Sequence, residues 1–227
     1  MSNPSANDFA ELALALHGQP DVDGTATRVV HFAKNATGCD DASLVLVRSR
    51  RRLETAQATD ERVRAVEDLQ HQCSEGPSAE AVSGRDPVVA HDVATDTRWP
   101  VWGPQAAEFG VRSMIGIPLY TAERTIGVLN LYADAQAGFD EGDVRAANVV
   151  GRHATVALAA ASEEEGLQRA AHARHKVGLA QGILMERLGI DAERAFHVLR
   201  RYSQDGNVKL REVADRVVAE RQLPADG

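Results

Sequence analysis

Strand-like sequence ends near Gly138 in this 227-residue chain, and helical sequence runs from Asp140 to the neighbourhood of Pro224. A strand pattern repeats every two residues and a helix pattern about every 3.6, so no single uniform fold spans that divide. Before it, Ser43–Val47 (SLVLV), Leu53–Thr59, Pro87–Ala90, Ser113–Leu119 (SMIGIPL) and Thr125–Ala133 (TIGVLNLYA) read as strands. Ser49–Arg52 reads as an exposed turn between the first two. Helical runs occupy Phe9–Leu16, Thr25–Ala36, Glu61–Gln72, Ser78–Val82 and part of Trp99–Gly110. Strands between an initial and a final helix give an α+β domain, one antiparallel sheet flanked by helices.

Beyond the divide, Asp140 is placed to cap a helix, with Asp143 three residues on in its first turn. Val144, Ala147, Gly151, Ala154, Leu158 and Ala161 recur at alternating threes and fours, a seam of small residues. Its first half suits burial against the sheet; past about Leu158 it suits a dimer contact. Glu163–Gly166 marks a junction, after which Gly166–Leu188 continues as helix and Gly189 is placed to end it. Asp191 can cap a second helix reaching about Ser203, Asp205-Gly206 breaks it, and Asn207 is read as the cap of a third. Three short amphipathic helices make a small bundle. The expected domains are an N-terminal helical segment (1–20), a sheet domain (21–161), an all-α three-helix domain (162–223) and a tail (224–227). A long helix or coiled coil joins the two main domains.

Composition narrows the function classes. Aromatics make up 4% of the chain, which disfavours an aromatic-lined nucleic-acid platform. No apolar run reaches the ~18 residues of a membrane span, and Met1–Asp8 has no secretion-signal pattern. Cys39 and Cys73 are the two cysteines and suit a reducing cytosol, so the chain is expected to be cytoplasmic. Residues 1–165 carry 14 Lys and Arg against 25 Asp and Glu, whereas 166–223 carry 11 against 7. A basic end on an acidic body is what a phosphate-binding module needs. Arg200 and Arg201, near the end of the second C-terminal helix, complement its dipole. Lys209 and Arg211, at the start of the third, oppose theirs, which suggests a ligand that offsets the cost.

Val177–Val218 resembles the ANTAR domain of bacterial antitermination proteins. The resemblance rests on Ala180-Gln181-Gly182-Ile183-Leu184-Met185, the helix start Glu193–Phe196, Leu199–Ser203, and Asn207–Arg211 leading into Val213-Ala214. Where many relatives have Ala-Lys-Gly, this chain has Ala180-Gln181-Gly182, one cation fewer on that face. The resemblance implies binding of paired leader-RNA hairpins, in a form that prevents a terminator from folding. Together with the polar helix faces it gives Lys176, Gln181, Gly182, Arg200, Arg201, Ser203, Asn207, Lys209 and Arg211 as candidate RNA-contacting residues. Ala180 and Gly182 read either as room for RNA to approach or as tight helix packing.

Residues from about Asp21 to Ala161 are similar to the GAF domains of actinobacterial GAF–ANTAR proteins. The carriers are Glu75-Gly76-Pro77, Asp92–Pro100 (DVATDTRWP), Gly110–Ser113, Ile117-Pro118-Leu119 and Ile126–Tyr132. This implies a sensor for a small molecule whose identity and binding residues are unknown. Cys73 and His71 raise two sharper alternatives, covalent bilin attachment or a redox switch with Cys39; Ser78 stands near the place where relatives often carry a cysteine. His172 and His175 lack a third metal partner. The expectation is a homodimeric, non-enzymatic regulator without metal or cofactor. The alternatives are a DNA-binding regulator, since three small helices also describe a helix-turn-helix, and a GAF-type redox enzyme using Cys73.

Overall fold

The computed structural model describes residues 6–17, 19 and 21–220. The expected tail at 224–227, Pro224, Gly18 and Pro20 of the first loop, and the first five residues of the signal reading lie outside them. The helices are α1 (Ala6–His17), α2 (Val22–Thr37), α3 (Glu61–Cys73), α4 (Pro77–Ser83), α5 (Trp102–Glu108), α6 (Glu141–Leu188), α7 (Ala192–Asp205) and α8 (Leu210–Glu220). The strands are β1 (Asp41–Val47), β2 (Leu53–Ala58), β3 (Val88–Ala90), β4 (Ser113–Tyr120) and β5 (Thr125–Ala133), with a 3-10 turn at Ser49–Arg51. The chain divides into two compact units, residues 1–163 and 164–227.

In the first unit the five strands form one sheet in the order β2-β1-β5-β4-β3, every neighbouring pair antiparallel. Strands β1, β4 and β5 are buried on both sides, which is why they read as continuous apolar runs, whereas β2 at the edge is only half-buried. Leu44, Leu46, Ile115, Ile117, Leu129 and Leu131 point into a core shared with α1, α2 and α6. The alternate residues Met114, Val128 and Tyr132 point into a second core shared with α3, α4 and α5, where Trp99 and Trp102 are buried. A methyl group added at Gly151 would stand 2.7 Å from Ile117 Cγ2, so α6 lies against β4 at a distance only glycine allows.

The small-residue seam of α6 is used up by this core. Leu158 and Ala161 are 1% and 7% exposed and belong to the same core as Leu12 and Leu16 of α1. Past Leu158 the sequence suggests that no sheet is left to cover; α1 and α2 complete that core instead. The junction at Gly166 is likewise no break, since α6 runs unbroken through it. One helical glycine costs only about 1 kcal/mol against alanine, which the surrounding Ala, Glu, Gln and Arg residues carry.

The second unit packs α7, α8 and the end of α6 around Ala180, Leu184, Ala195, Leu199, Val213, Ala214 and Val217. Gly189 takes φ +61° just past α6, the left-handed cap its position implies. Asp191 caps α7 by accepting from Arg194 N at 2.8 Å. Asn207 does not cap α8. It sits in the left-handed region at φ +48°, and the first intrahelical bond runs from Val213 N to the carbonyl of Lys209. Asparagine tolerates that conformation, so the residue turns the chain where the sequence suggests it starts the helix.

Candidate nucleic-acid interface

The link between α7 and α8 is a closed turn. Gly206 N donates to Tyr202 O at 3.1 Å, Asn207 N to Gln204 O at 3.2 Å, and Val208 N to Ser203 O at 3.0 Å. The Ser203 hydroxyl returns the bond to Val208 O at 2.7 Å. Ser203 thus gives its hydroxyl, and Asn207 its backbone N–H, to shaping the turn. Its effect is to bring Arg200 and Arg201 of α7 to the same end of the unit as Lys209 and Arg211.

These four cations differ in what they touch. Arg201 pairs with Asp205 at 3.3 Å and Arg211 reaches Glu212 at 4.0 Å. Glu212 also supplies an acid in the first turn of α8, which offsets the dipole cost expected for Arg211. Arg200 and Lys209 are exposed and form no ion pair among the described residues.

The candidates on α6 are arranged differently. Lys176 Nζ lies 2.6 Å from Asp215 Oδ1 of α8, a pair that ties two helices of the bundle. Gln181 Nε2 donates to Ala192 O at 3.1 Å, tying α6 to the start of α7. Ala180 is fully buried and packs the bundle, whereas a Cβ on Gly182 would meet nothing within 4 Å. Gly182 opens instead on a cleft of about 640 Å³, lined also by Gly178, Ile183, Arg187 and Val218.

The sensor unit holds a buried polar group that sequence reasoning passed over. Glu67 of α3 is fully buried between helix and sheet. Its Oε1 accepts from Ser43 of β1 and from Asn130 Nδ2 (2.6 Å) and Tyr132 OH of β5. Its Oε2 accepts from Gln70 Nε2 at 2.9 Å and Ser78 Oγ at 3.2 Å. Burial, then the adjoining Glu67 charge and hydrogen bond, push the Tyr132 phenol well above its ordinary range, which keeps it a donor. The available signal was spacing: Glu67 and Gln70 lie three apart on the apolar side of α3, and Asn130 and Tyr132 two apart on one strand face.

The residues that carry the sensor resemblance are largely occupied by the fold. Glu75 accepts from Val101 N at 2.9 Å and Trp102 N at 3.2 Å, fastening the start of α5. Gly76 takes φ +128°, and a side chain there would collide with Gln70. Asp96 holds Arg98 at 2.7 Å; the guanidinium donates to Val89 O and covers the Trp99 ring at 4.2 Å. Ser78 is buried on Glu67. Cys39 and Cys73 pack with cores on opposite faces of the sheet, and burial pushes the Cys39 thiol up to about 11, where a reactive thiolate is scarce. Among the described residues no three His, Cys, Asp or Glu side chains gather as a metal site, and no helix is long and apolar enough to cross a membrane.

Comparison with known proteins agrees with this division. A family model for the GAF domain matches residues 19–159, and one for the ANTAR domain matches residues 165–218. No curated protein matches the chain. Among solved structures, the chain is similar to the GAF domain of a phosphoenolpyruvate-protein phosphotransferase from Coxiella burnetii, with TM-score 0.58 and 14% identity, over 70% of this chain and 95% of that one. The GAF domain of the Acinetobacter phosphoenolpyruvate-protein phosphotransferase gives 0.56 and 16%, over 72% and 97%. Free methionine-R-sulfoxide reductase from Neisseria meningitidis, solved with its substrate, gives 0.52 and 17%, over 72% and 96%. At these identities the likeness is one of fold. The chain belongs to the GAF domain family and carries an ANTAR domain behind it, the arrangement of a GAF–ANTAR regulator.

Proposed function

We propose that this regulator binds paired hairpins in leader RNA through its ANTAR domain and acts by transcription antitermination, under control of a small-molecule signal received by the GAF domain. The observation that carries the reading is the pair Arg200 and Lys209, exposed and without ion-pair partners among the described residues, on either side of the α7–α8 turn. Cations placed in this way neutralise phosphates and release counterions, while the polar turn between them faces loop bases that an A-form stem would conceal. Gly182, open to the adjoining cleft, leaves room for RNA to approach α6.

The protein acts in the cytoplasm as a homodimer and performs no catalysis. Support for the dimer is the exposure of Val149 and Val156, at 37% and 71%, seven residues apart and so on one face of α6. The separation of the two cysteines onto opposite sheet faces, with Cys39 buried, speaks against a redox switch formed between them. The test is a competition experiment in which the full chain binds a leader RNA with two similar hairpins against duplex DNA of equal charge. The expected result is preference for the RNA, lost in Arg200→Ala/Lys209→Ala. Preference for the duplex overturns the reading in favour of a DNA-binding regulator.

A further inference from the structure

The acidic sensor unit concentrates its positive charge in one turn. Of the 14 Lys and Arg within residues 1–165, four stand in the five positions from Arg48 to Arg52. This stretch links β1 to β2, closed by Arg48 N donating to Arg52 O at 2.7 Å and Arg52 N to Ser49 O at 3.4 Å. Arg50 and Arg51 both take φ +58°, a left-handed conformation that suits glycine and that a side-chain-bearing residue enters at a cost. Hairpin turns that need this geometry usually carry glycine or asparagine. Two adjacent arginines here are a local conflict of the kind that marks function more often than folding.

The charges are also left available. Arg48 and Arg52 share Glu54, at 3.2 and 2.9 Å. Arg50 and Arg51 are exposed and form no ion pair among the described residues. Arg124, from the turn between β4 and β5, lines the same cleft as Arg48, and Ser162 near the end of the sensor's share of α6 lines it too. The arginine turn therefore lies at the end of the sheet beside Ser162, in the last stretch of the sensor unit.

We propose that the Arg48–Arg52 turn, with Arg124, is a second phosphate-binding surface that contacts the backbone of the same RNA the ANTAR domain binds. The proposal rests on the RNA-binding reading above. Guanidinium groups pair with phosphate oxygens in a fixed planar geometry, and their effect adds to counterion release. The two surfaces belong to one chain, so phosphate contacts made at the turn add to those made by the ANTAR domain.

The test uses the full chain with Arg50→Gly/Arg51→Gly, a change that removes both charges at positions where glycine is the relaxed residue. Its Tm is expected to equal or exceed that of the unchanged protein, which separates loss of binding from loss of fold. Fluorescence anisotropy with a two-hairpin RNA across a range of KCl is expected to show roughly tenfold weaker binding at low salt. The slope of log K against log salt should flatten by about 1.5, as two lost phosphate contacts require. Arg50→Lys/Arg51→Lys should restore most of that slope. Unchanged affinity and slope in the glycine variant, with Arg200→Ala/Lys209→Ala still impaired, overturns this proposal and leaves the RNA reading standing. Absence of RNA binding by the unchanged protein overturns both. Loss confined to binding of phosphatidylserine vesicles overturns the proposal in favour of a lipid surface.

Discussion

Tyr132 donates its hydroxyl proton to Oε1 of Glu67, joining the fifth strand to the helix that covers it. The same carboxylate accepts from Ser43, Asn130, Gln70 and Ser78, so β1, β5, α3 and α4 meet at one fully buried acid. All five donors converge on the carboxylate, while Asn130 Oδ1 is left without a partner among the described residues. The network fixes the spacing between the sheet and the α3–α4 layer in a way that apolar packing alone would leave looser.

Replacing Tyr132 by Phe keeps the ring and removes one donor from the carboxylate. Hydrogen bonds to charged or strongly polar acceptors contribute about 1.5–3 kcal/mol, and Oε1 still has Ser43 and Asn130. The expected loss is about 2 kcal/mol in unfolding free energy, read as a lower urea midpoint with an unchanged slope. A change below about 0.5 kcal/mol would mean that the neighbouring donors close over the gap.

Acid should weaken the sensor unit through Asp41. Burial raises this carboxyl, but bonds from Arg62 at 2.7 Å, Thr59 at 2.8 Å and Lys34 at 3.1 Å outweigh it and hold it below its ordinary 3.8. A folded-state value below the unfolded one gives stability that is present above pH 3.8 and is lost as the pH falls through the lower folded value. Asp41→Asn should therefore be less stable than the unchanged protein near neutrality, and the difference should shrink below pH 3.8. Urea midpoints measured for both proteins across that interval check the sign. A gap that stays constant with pH would assign Asp41 a purely neutral hydrogen-bonding role.

Local chemistry was legible in the sequence, and distant pairing was not. Asp140 and Asp143 read as a helix start, and each side chain accepts from the other's backbone N–H, at 3.0 and 2.9 Å. That reading needs only four consecutive residues. The strands were legible for the same reason, since their apolar runs and bounding turns are local. Glu67 was not, because an acid inside a helical pattern reads as solvated surface, and its donors lie as far as 65 residues away in β5. Lys176 shows the same limit: as sequence it is a cation on a polar helix face, and only the packing of α6 against α8 brings Asp215 to it. The long helix that joins the two domains was legible as well, since one glycine at 166 is a weak breaker among strong helix formers.

The basic residues of the ANTAR domain should separate into two classes by experiment. Arg200 and Lys209 hold no ion pair among the described residues, so their removal should leave Tm nearly unchanged. The double alanine variant should flatten the salt dependence of RNA binding by about 1.5 in log–log slope. Lys176→Ala should behave oppositely. It breaks the half-exposed pair with Asp215, at a cost of up to about 1 kcal/mol in stability, and should move the salt slope little. Salt-titrated anisotropy and thermal unfolding on the same three proteins decide the matter.

Gly182 allows stability and binding to be set against each other in one substitution. It lies inside α6, its backbone is helical, and an added Cβ would touch nothing within 4 Å. Alanine at an exposed helical position is favoured over glycine by about 0.8–1 kcal/mol, so Gly182→Ala should raise the unfolding free energy by nearly that amount. If the glycine's only task were packing, RNA affinity would be unchanged or improved. If RNA approaches α6 across the cleft that Gly182 shares with Arg187, the added methyl occupies the space of approach. The expected outcome is a more stable protein that binds the hairpin RNA several-fold more weakly, and equal affinity in the two proteins would remove Gly182 from the interface.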